Sequence, residues 1–154
     1  MEYHDKDSTT PDQALGWLLE ISNNLRIADQ RELTATIALD HFSVLTYGWR
    51  SSELCWIGVQ DDKPVIVFGL DGDGCWMVGT PDIDRPPLSR QVARDTRKFM
   101  DLMNSVSPTI WNWIDMRNHK TLRWLLWSGF EVTDINIEHG LERRPFAKLS
   151  RTQR

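Results

Sequence analysis

Residues 108–131 have the sequence Pro-Thr-Ile-Trp-Asn-Trp-Ile-Asp-Met-Arg-Asn-His-Lys-Thr-Leu-Arg-Trp-Leu-Leu-Trp-Ser-Gly-Phe-Glu. The first part, 109–116, is rich in β-branched and aromatic side chains and lies between Pro108 and a polar pair, which predicts a β-strand. Apolar residues occur on both faces of this strand, because Trp111 and Trp113 alternate with Ile110 and Ile114. The pattern therefore indicates a central strand that is covered on both sides.

A helix is predicted directly after this strand. Asn118 is suited to the N-cap, because its side-chain amide oxygen can accept from backbone N–H groups of the first turn. Most of the following residues are apolar, so we expect the helix to be mostly buried. Gly129 supplies the left-handed residue that ends the helix, and Phe130 supplies the hydrophobic contact of that cap.

The residues before position 50 predict a flexible start and then helices. Residues 1–10 are polar and acidic, and we expect them to be flexible. A helix can begin at Pro11, although residues 18–25 can instead form a first strand, and the periodicity leaves both open. A second helix is predicted to open near Ala28, and a third to follow Asp40 as N-cap.

Strands and one long helix are predicted on either side of the central stretch. Residues 54–59, 64–70 and 75–79 are separated by short turns, which favours an antiparallel meander. An irregular loop follows at 80–87, and residues 88–106 show the apolar stripe of a long helix. Residues 131–137 and 146–149 are predicted to be the closing strands.

The bulk composition fits one domain of ordinary globular character. The chain has 154 residues, a formal net charge of −4 and eight tryptophans, which predicts one core with extensive aromatic packing. The net charge argues against nucleic-acid binding by the whole surface, and we expect any such contact to be limited to the basic tail. No stretch is predicted to span a membrane. The thiols of Cys55 and Cys75 are predicted to be free, as in a reducing compartment, with no metal ligands at suitable spacing.

The central stretch resembles the GNAT superfamily of N-acetyltransferases. The resemblance rests on Asn118, then Thr121, Leu122, Trp124 and Leu125, and the pair Gly129-Phe130. It implies an α/β (α+β) fold: a mixed, mostly antiparallel sheet of about six to seven strands with helices on both faces. On this basis residues 25–150 are the GNAT-like domain, 1–24 a leading segment, and 151–154 a basic tail that includes Arg151 and Arg154.

A narrower resemblance is to a bacteriophage family. The run Trp111-Asn112-Trp113-Ile114, Arg117-Asn118 and the segment 74–78 are similar to the internal virion protein A of short-tailed phages and prophages. The resemblance implies a virion morphogenesis or internal core protein, located in the host cytoplasm during assembly or in the virion interior, with other virion proteins as partners. The alternative is an active acyl-CoA-dependent N-acetyltransferase that modifies a host or phage amine; a non-catalytic acyl-CoA binder is a third reading.

The resemblance also indicates where acetyl-CoA would bind. Superfamily enzymes bind the coenzyme A pyrophosphate with a glycine-rich loop before a helix, and the matching residues 79–88 lack that motif and carry Asp82 and Asp84. Arg85 and Arg90 can still bind phosphate. The remaining candidates for cofactor binding are Trp76, Met77, Val78 and Asn118.

The catalytic groups are harder to assign from the sequence. The tyrosine that many of these enzymes use as general acid corresponds to Leu125, which has no proton to donate. Asp115 and Glu53 are candidates for the general base on position alone. The sequence therefore predicts a degenerate acetyltransferase site.

Overall fold

Seven strands form one mixed sheet in the computed structural model, which describes residues 1–153. The order across the sheet is β1-β2-β3-β4-β5-β7-β6. All neighbours are antiparallel except β4 and β5, which run parallel. The strands are β1 (Glu2–Asp5), β2 (Leu54–Gln60), β3 (Lys63–Asp71), β4 (Gly74–Gly79), β5 (Thr109–Asp115), β6 (Glu131–His139) and β7 (Arg144–Thr152).

Five α-helices connect the strands and cover both faces of the sheet. They are α1 (Pro11–Asn23), α2 (Ile27–Thr36), α3 (His41–Ser51), α4 (Leu88–Val106) and α5 (His119–Trp127), and a short 3₁₀ helix (Pro81–Asp84) precedes α4. The predicted meander, the long helix and the strand–helix signature are confirmed. The number of strands and their mostly antiparallel pairing agree with the fold class expected from the sequence.

The strands have a hydrophobic core on each face, because their side chains alternate in direction. On one face, α1 and α3 contribute Leu18 and Leu45, which pack with Val67 of β3. On the other face, α4 and α5 pack through Met103 and Leu125. The sheet is thus a partition between two helical layers, and any route from one layer to the other must cross it.

The start of the chain is a strand, where the sequence predicted a flexible segment. Strand β1 pairs with β2 over four residues. Tyr3 fixes it there, because its ring contacts Phe68 and Phe99 edge-on and its hydroxyl donates to Asp95 at 2.8 Å. A single aromatic side chain in a polar segment supplies this anchor, and hydropathy over ten residues does not reveal it. Of the two readings for the next segment, the helix beginning at Pro11 is correct.

Helix α5 begins and ends as predicted, but it is not mostly buried. The Asn118 side chain accepts from the Thr121 N–H, and Gly129 has φ +97°. The Phe130 N–H donates to the Leu125 carbonyl, which closes the expected glycine cap. The prediction of burial was wrong for the last turn, where Leu126 is 50% and Trp127 is 53% exposed. Only one side of this short helix meets the sheet.

The predicted basic tail is partly structural. Arg151 lies in β7 and ties three elements together: its Nε donates to the Ser128 carbonyl at 2.9 Å, and its two terminal nitrogens donate to Asn104 and Asp101 at 2.7 and 2.6 Å. Burial of this guanidinium at the end of α4 and α5 explains why the residue is not a solvated tail. Arg154 lies outside the described residues.

The two cysteines occupy alternate strands, as expected. Cys55 lies on β2 and Cys75 on β4, with β3 between them, and both thiols are free. Within residues 1–153, no group of three or more His, Cys, Asp or Glu side chains has a geometry that could hold a metal ion. None of the helices described is both long and apolar enough to cross a membrane.

The positive φ at Gly129 generates a test of the cap. We expect Gly129→Ala to lower the free energy of unfolding by roughly 1–2 kcal/mol, because a Cβ is disfavoured in the left-handed region. The nearest atom to an added Cβ is at 3.5 Å, so the cost is conformational and not steric. Gly16→Ala, in the exposed part of α1 with open space around it, should instead stabilise by about 0.5–1 kcal/mol. Urea unfolding measures both; equal effects of the two substitutions would contradict the cap assignment.

Candidate functional site

The parallel strands β4 and β5 separate almost as soon as they meet. They share one paired position, Gly74 with Trp111, whereas the other neighbouring strands pair over four to seven positions. Beyond this pair the two strands leave a gap in the middle of the sheet. Parallel strands normally satisfy each other's backbone groups, so other groups must satisfy the backbone at the gap.

Two carboxylates of α2 bridge the gap. On the β4 side, Asp29 accepts a hydrogen bond from the backbone N–H of Gly79 at 2.9 Å. On the β5 side, Glu32 accepts from the backbone N–H of Asp115 at 3.0 Å and from the side-chain amide of Asn118 at 3.3 Å. Asp29 and Glu32 are three residues apart and lie on one face of the helix. Helix α2 thus takes the place of the missing strand pairing.

Arg26 completes this network and holds α2 to the loop before α4. Its backbone N–H donates to the Gly79 carbonyl at 2.9 Å. Its guanidinium makes two hydrogen bonds of 2.9 Å with Asp29 and one of 3.1 Å with Asp84. Burial opposes the charge of Arg26, but the two carboxylates outweigh it and raise its pKa. Burial raises the pKa of Asp29, against the attraction of Arg26 and the hydrogen bond from the Gly79 N–H.

The pKa of the Glu32 carboxyl group is raised into the range near neutral pH. Burial in the gap raises its pKa to about 8, and the charge of Asp29 adds to the rise, against the hydrogen bonds from Asn118 and the Asp115 N–H. A carboxyl that titrates near neutral pH can accept a proton from a substrate and release it again. Part of the Glu32 side chain stays accessible, and it lines a cavity on the α3 side.

Three cavities with shared lining residues lie beside the gap. The α4–α5 cavity, about 280 Å³, is lined among others by Ser89, Lys120 and Trp124. The α3 cavity, also about 280 Å³, is lined among others by Glu32 and several aromatic side chains. A smaller central cavity of about 40 Å³ lies between them. Met77 lines all three, so cavities on the two faces of the sheet meet at the same residue of β4.

Two polar atoms of residues that line these cavities have no protein partner. Among the residues that the structure describes, the Thr121 hydroxyl oxygen and the Trp124 indole nitrogen are buried without a hydrogen bond. Both residues line the central cavity and the α4–α5 cavity. Buried polar groups are nearly always satisfied in proteins. Two such atoms, on successive turns of α5 and beside one cavity, are polar groups that a bound ligand could satisfy.

Some of the residues predicted to bind a cofactor line a cavity, whereas others are engaged in contacts within the protein. Trp76, Met77 and Val78 lie on β4 and line the α3 cavity. Asn118 is buried near the gap, but its side chain is already used as the N-cap of α5 and as a donor to Glu32. Arg85 is exposed and pairs with Asp82 at 3.4 Å. These placements leave the cofactor assignments as predictions.

Arg90, Asp82 and Asp84 also bear on whether the loop before α4 can bind a phosphate group. Arg90 is an exposed residue in the first turn of α4. Asp82 is paired with Lys63 and Arg85, and Asp84 with Arg26. The negative charges that the sequence places at the loop are therefore each compensated by a cation. Their repulsion of a bound phosphate is correspondingly weaker than the sequence alone indicates.

The two predicted general bases lie in different surroundings. Asp115 is buried at the gap, where burial opposes its ionised form, but hydrogen bonds and charge pairing with Arg117, at 2.6 Å, lower its pKa overall. A carboxylate held in this way is a poor proton acceptor near neutral pH. Glu53 accepts from the Gly72 N–H at the β3–β4 turn and lines none of the three cavities. Both roles stay predictions.

The residues that form the gap network were not selected from the sequence. Asp29 and Glu32 belong to a helix with only a weak apolar stripe, Arg26 directly precedes it, and a charged helix face normally faces solvent. The available signal was the spacing of Asp29, Glu32 and the buried Ala35, which share one face. Trp124 was noted only as an apolar residue, and nothing in its sequence context shows that its indole N–H lacks a partner.

Comparison with solved structures gives the same fold throughout the chain. An aminoglycoside 6'-acetyltransferase type Ii is 13% identical, with a TM-score of 0.68 over 99% of this chain and 97% of that chain. The ribosomal-protein-S18-alanine N-acetyltransferase from Escherichia coli is 12% identical, with a TM-score of 0.64 over 98% and 94%. A mutant of the spermidine N-acetyltransferase SpeG from Vibrio cholerae is 9% identical, with a TM-score of 0.67 over 99% and 95%.

The chain has a GNAT-like acetyltransferase fold. At these identities the similarity establishes the fold alone. Comparison of the sequence with protein-family models and with curated proteins finds no match. None of the structural similarities supports the narrower resemblance to the phage virion protein.

The raised pKa of Glu32 predicts a specific dependence of stability on pH. The folded protein keeps this proton up to about pH 8, whereas the unfolded chain releases it near the ordinary pKa of a glutamate. The free energy of unfolding should therefore fall as the pH rises through that interval. Glu32→Gln preserves the acceptor oxygen and removes the titration, so its stability should fall less over the same range.

Urea unfolding at pH 5, 6, 7 and 8 measures this difference. The matched control is Glu20→Gln, which changes an exposed glutamate on α1 and should keep the wild-type dependence on pH. A Glu32→Gln protein with the same slope as the wild type would contradict a raised pKa for Glu32.

Proposed function

We propose that this protein is an acyl-CoA-dependent N-acyltransferase that carries out acyl transfer at the β4–β5 gap. The observation that supports the proposal most strongly is the set of three cavities that share Met77 at the gap, with Glu32 lining the α3 cavity and Thr121 and Trp124 lining the α4–α5 cavity. A donor and an acceptor that enter from opposite faces of the sheet would meet near Met77. Such an arrangement brings two reactants together without either blocking the other.

The α4–α5 cavity has groups that fit the acyl donor. Ser89 lies in the first turn of α4, a helix of 19 residues whose N-terminus favours anions, and Lys120 adds a positive charge. Because hydrogen-bonding direction alternates along a strand, the N–H and C=O of Met77 face the gap like those of Gly79. An extended amide-containing arm can pair with the backbone of β4 at this point, as an added strand does.

Thr121 and Trp124 fit the reacting end of the donor. When bound, an acyl-CoA supplies an acyl group activated as a thioester. The Thr121 hydroxyl and the Trp124 indole N–H are donors without protein partners at the central cavity. Donors already oriented toward developing charge stabilise it without reorganisation. In this chain they occupy the helix where the sequence offers no tyrosine, because the matching position is Leu125.

Glu32 fits the role of general base. It faces the α3 cavity, where the acceptor amine would enter, and its pKa of about 8 lies near the operating pH. In the proposed step, Glu32 removes a proton from the amine, the amine nitrogen forms a bond with the acyl carbon, and the carbon–sulfur bond breaks. The leaving thiolate takes a proton from solvent, and Glu32 later returns its own proton to solvent. Atoms and charge are balanced without a metal or redox partner.

A thermal-melt series with acetyl-CoA tests donor binding. Ligand at about 100 times its Kd should stabilise the protein by roughly 2.7 kcal/mol, which is a shift of several degrees in Tm. The double variant Thr121→Val and Trp124→Phe removes the two unpartnered donors, with a nearly unchanged shape at residue 121 and a smaller ring at residue 124. We expect it to fold and to show a smaller shift. An unchanged Tm of the wild type at millimolar acetyl-CoA would contradict the proposal.

Acetyl transfer to a panel of primary amines, followed as release of free thiol, tests the base. Glu32→Gln should lower kcat by about 10²- to 10⁴-fold and leave the acetyl-CoA-dependent Tm shift in place. Glu53→Gln is the matched control, because it makes the same change at the glutamate outside the three cavities. Loss of activity in Glu53→Gln with full activity in Glu32→Gln would reverse the assignment.

A role in virion assembly is a second proposal, which the exposed face of β6 favours. This strand is at the edge of the sheet, and Val132, Ile135 and Ile137 are 49%, 54% and 70% exposed. An exposed apolar edge strand is a common site of protein contact. On this proposal the chain resides in the host cytoplasm during assembly, or in the virion, and contacts other virion proteins. Mass spectrometry of purified phage particles tests this second proposal. Absence of the chain from the particles would reject it.

A further inference from the structure

The lining of the α3 cavity indicates which class of acceptor amine it can bind, which the proposed reaction alone does not specify. Its lining is mainly apolar and includes four aromatic side chains, Tyr47, Trp76, Trp113 and Phe146. The charged groups among its lining residues are the carboxylates of Glu32 and Asp71; no lysine or arginine lines it. The cavity thus combines an apolar aromatic wall with carboxyl groups that can hydrogen-bond to nitrogen, which suits an amine attached to an apolar body.

The aromatic wall is held in place by contacts outside the cavity. His139 stacks on Trp113, with ring centroids 4.8 Å apart, and also contacts Phe146 at 4.7 Å. The Trp76 indole N–H donates to Ser52 at 2.8 Å, so this residue offers the cavity its ring and not its polar atom. A wall of fixed rings binds a flat apolar group with little loss of side-chain freedom, and ring faces also attract a cation.

The two carboxylates differ in position. The Glu32 carboxyl accepts a hydrogen bond from the Asp115 N–H at the gap, which is the deep end of the cavity. Asp71 is exposed and accepts from the Ser51 hydroxyl at 2.8 Å. An exposed carboxylate is screened by solvent and contributes little to binding a charge. The cavity therefore has one enclosed carboxyl group for an amine nitrogen and no equivalent second site for a longer polyamine.

The size of the cavity also limits the acceptor. A volume of about 280 Å³ is at the lower end of the range for small-molecule sites. It accommodates a small amine and leaves the rest of a large substrate outside. Tyr47, which is 68% exposed, lies at the mouth.

We infer that the α3 cavity binds a small primary monoamine with an aromatic or bulky apolar body, with its nitrogen at Glu32 and its apolar body against the aromatic wall. The inference rests on the proposed function for the meaning of the site, but it is a statement about binding and is tested without turnover. It specifies the acceptor class: an arylalkylamine-like monoamine in preference to a polyamine or a peptide N-terminus.

The test is equilibrium binding in the absence of acyl-CoA, followed by the fluorescence of the tryptophans that line the cavity. The probes are 2-phenylethylamine, its neutral analogue 2-phenylethanol, spermidine, and a tripeptide that begins with alanine. We expect 2-phenylethylamine to bind at least tenfold more tightly than any of the others. Val44→Trp, which adds bulk to a half-buried cavity residue outside the proposed chemistry, should weaken that binding at least tenfold.

Each outcome has a defined meaning. Tighter binding of spermidine or the tripeptide would overturn the inferred class, and so would equal binding of 2-phenylethanol, because then the carboxylate plays no part. Unchanged binding in Val44→Trp would show that the amine binds elsewhere. The acetyl-CoA melt of Val44→Trp is a control on folding and on the donor side, and should match the wild type. If amine binding follows the expectation but no amine is acetylated, the proposed function fails while the assigned amine site stands.

Discussion

The structure depends on two carboxylates that hydrogen-bond to opposite sides of a gap in a sheet. Asp29 and Glu32 satisfy the backbone of Gly79 on β4 and of Asp115 on β5. Without such acceptors, separated parallel strands would expose N–H groups inside the protein, at a cost of about 1–3 kcal/mol for each unsatisfied group. The same two contacts seat α2 against the sheet and keep the gap open. The cavities, and therefore the proposed site, follow from this arrangement.

The hydrogen-bond network also gives the acidic residues of the loop before α4 a structural role. Its acidic residues argue against phosphate binding when only the sequence is considered. In the structure Asp84 completes the pairing of Arg26 with Asp29, and Asp82 pairs with Lys63 and Arg85. The loop thus stabilises the position of α2. An acyl donor would be bound mainly through the backbone of β4 and the side chains of α4 and α5, with fewer backbone donors to its phosphates than a glycine-rich loop provides.

Local chemistry made much of the fold predictable from the sequence. Asn118 and Gly129 have roles that follow from their own side chains, because an N-cap acceptor and a left-handed residue act within one helical turn. Strand β1 was missed because Tyr3 gains its stability from Phe68 and Phe99, residues far away in the chain. The exposure of Trp127 was missed for a related reason: which side of a short helix meets the sheet is decided by tertiary packing.

The candidate site was less predictable than the fold. Residues 76–78, which the superfamily resemblance assigns to cofactor binding, line the α3 cavity, and their role stays a prediction. Glu32 was not recognised, because its burial is created by strands more than 40 residues away in sequence. The missing partners of Thr121 and Trp124 are likewise a property of the assembled cavity.

The central claim is that the bridged gap is the place where an acyl donor reaches an acceptor. A crystal structure of the protein with acetyl-CoA tests it most directly. The account predicts the acyl-bearing arm in the gap beside Met77, hydrogen-bonded to Thr121 and Trp124, with the α2 carboxylates still bound to Gly79 and Asp115. Density for the ligand outside the gap, with the Thr121 and Trp124 donors still without partners, would contradict it.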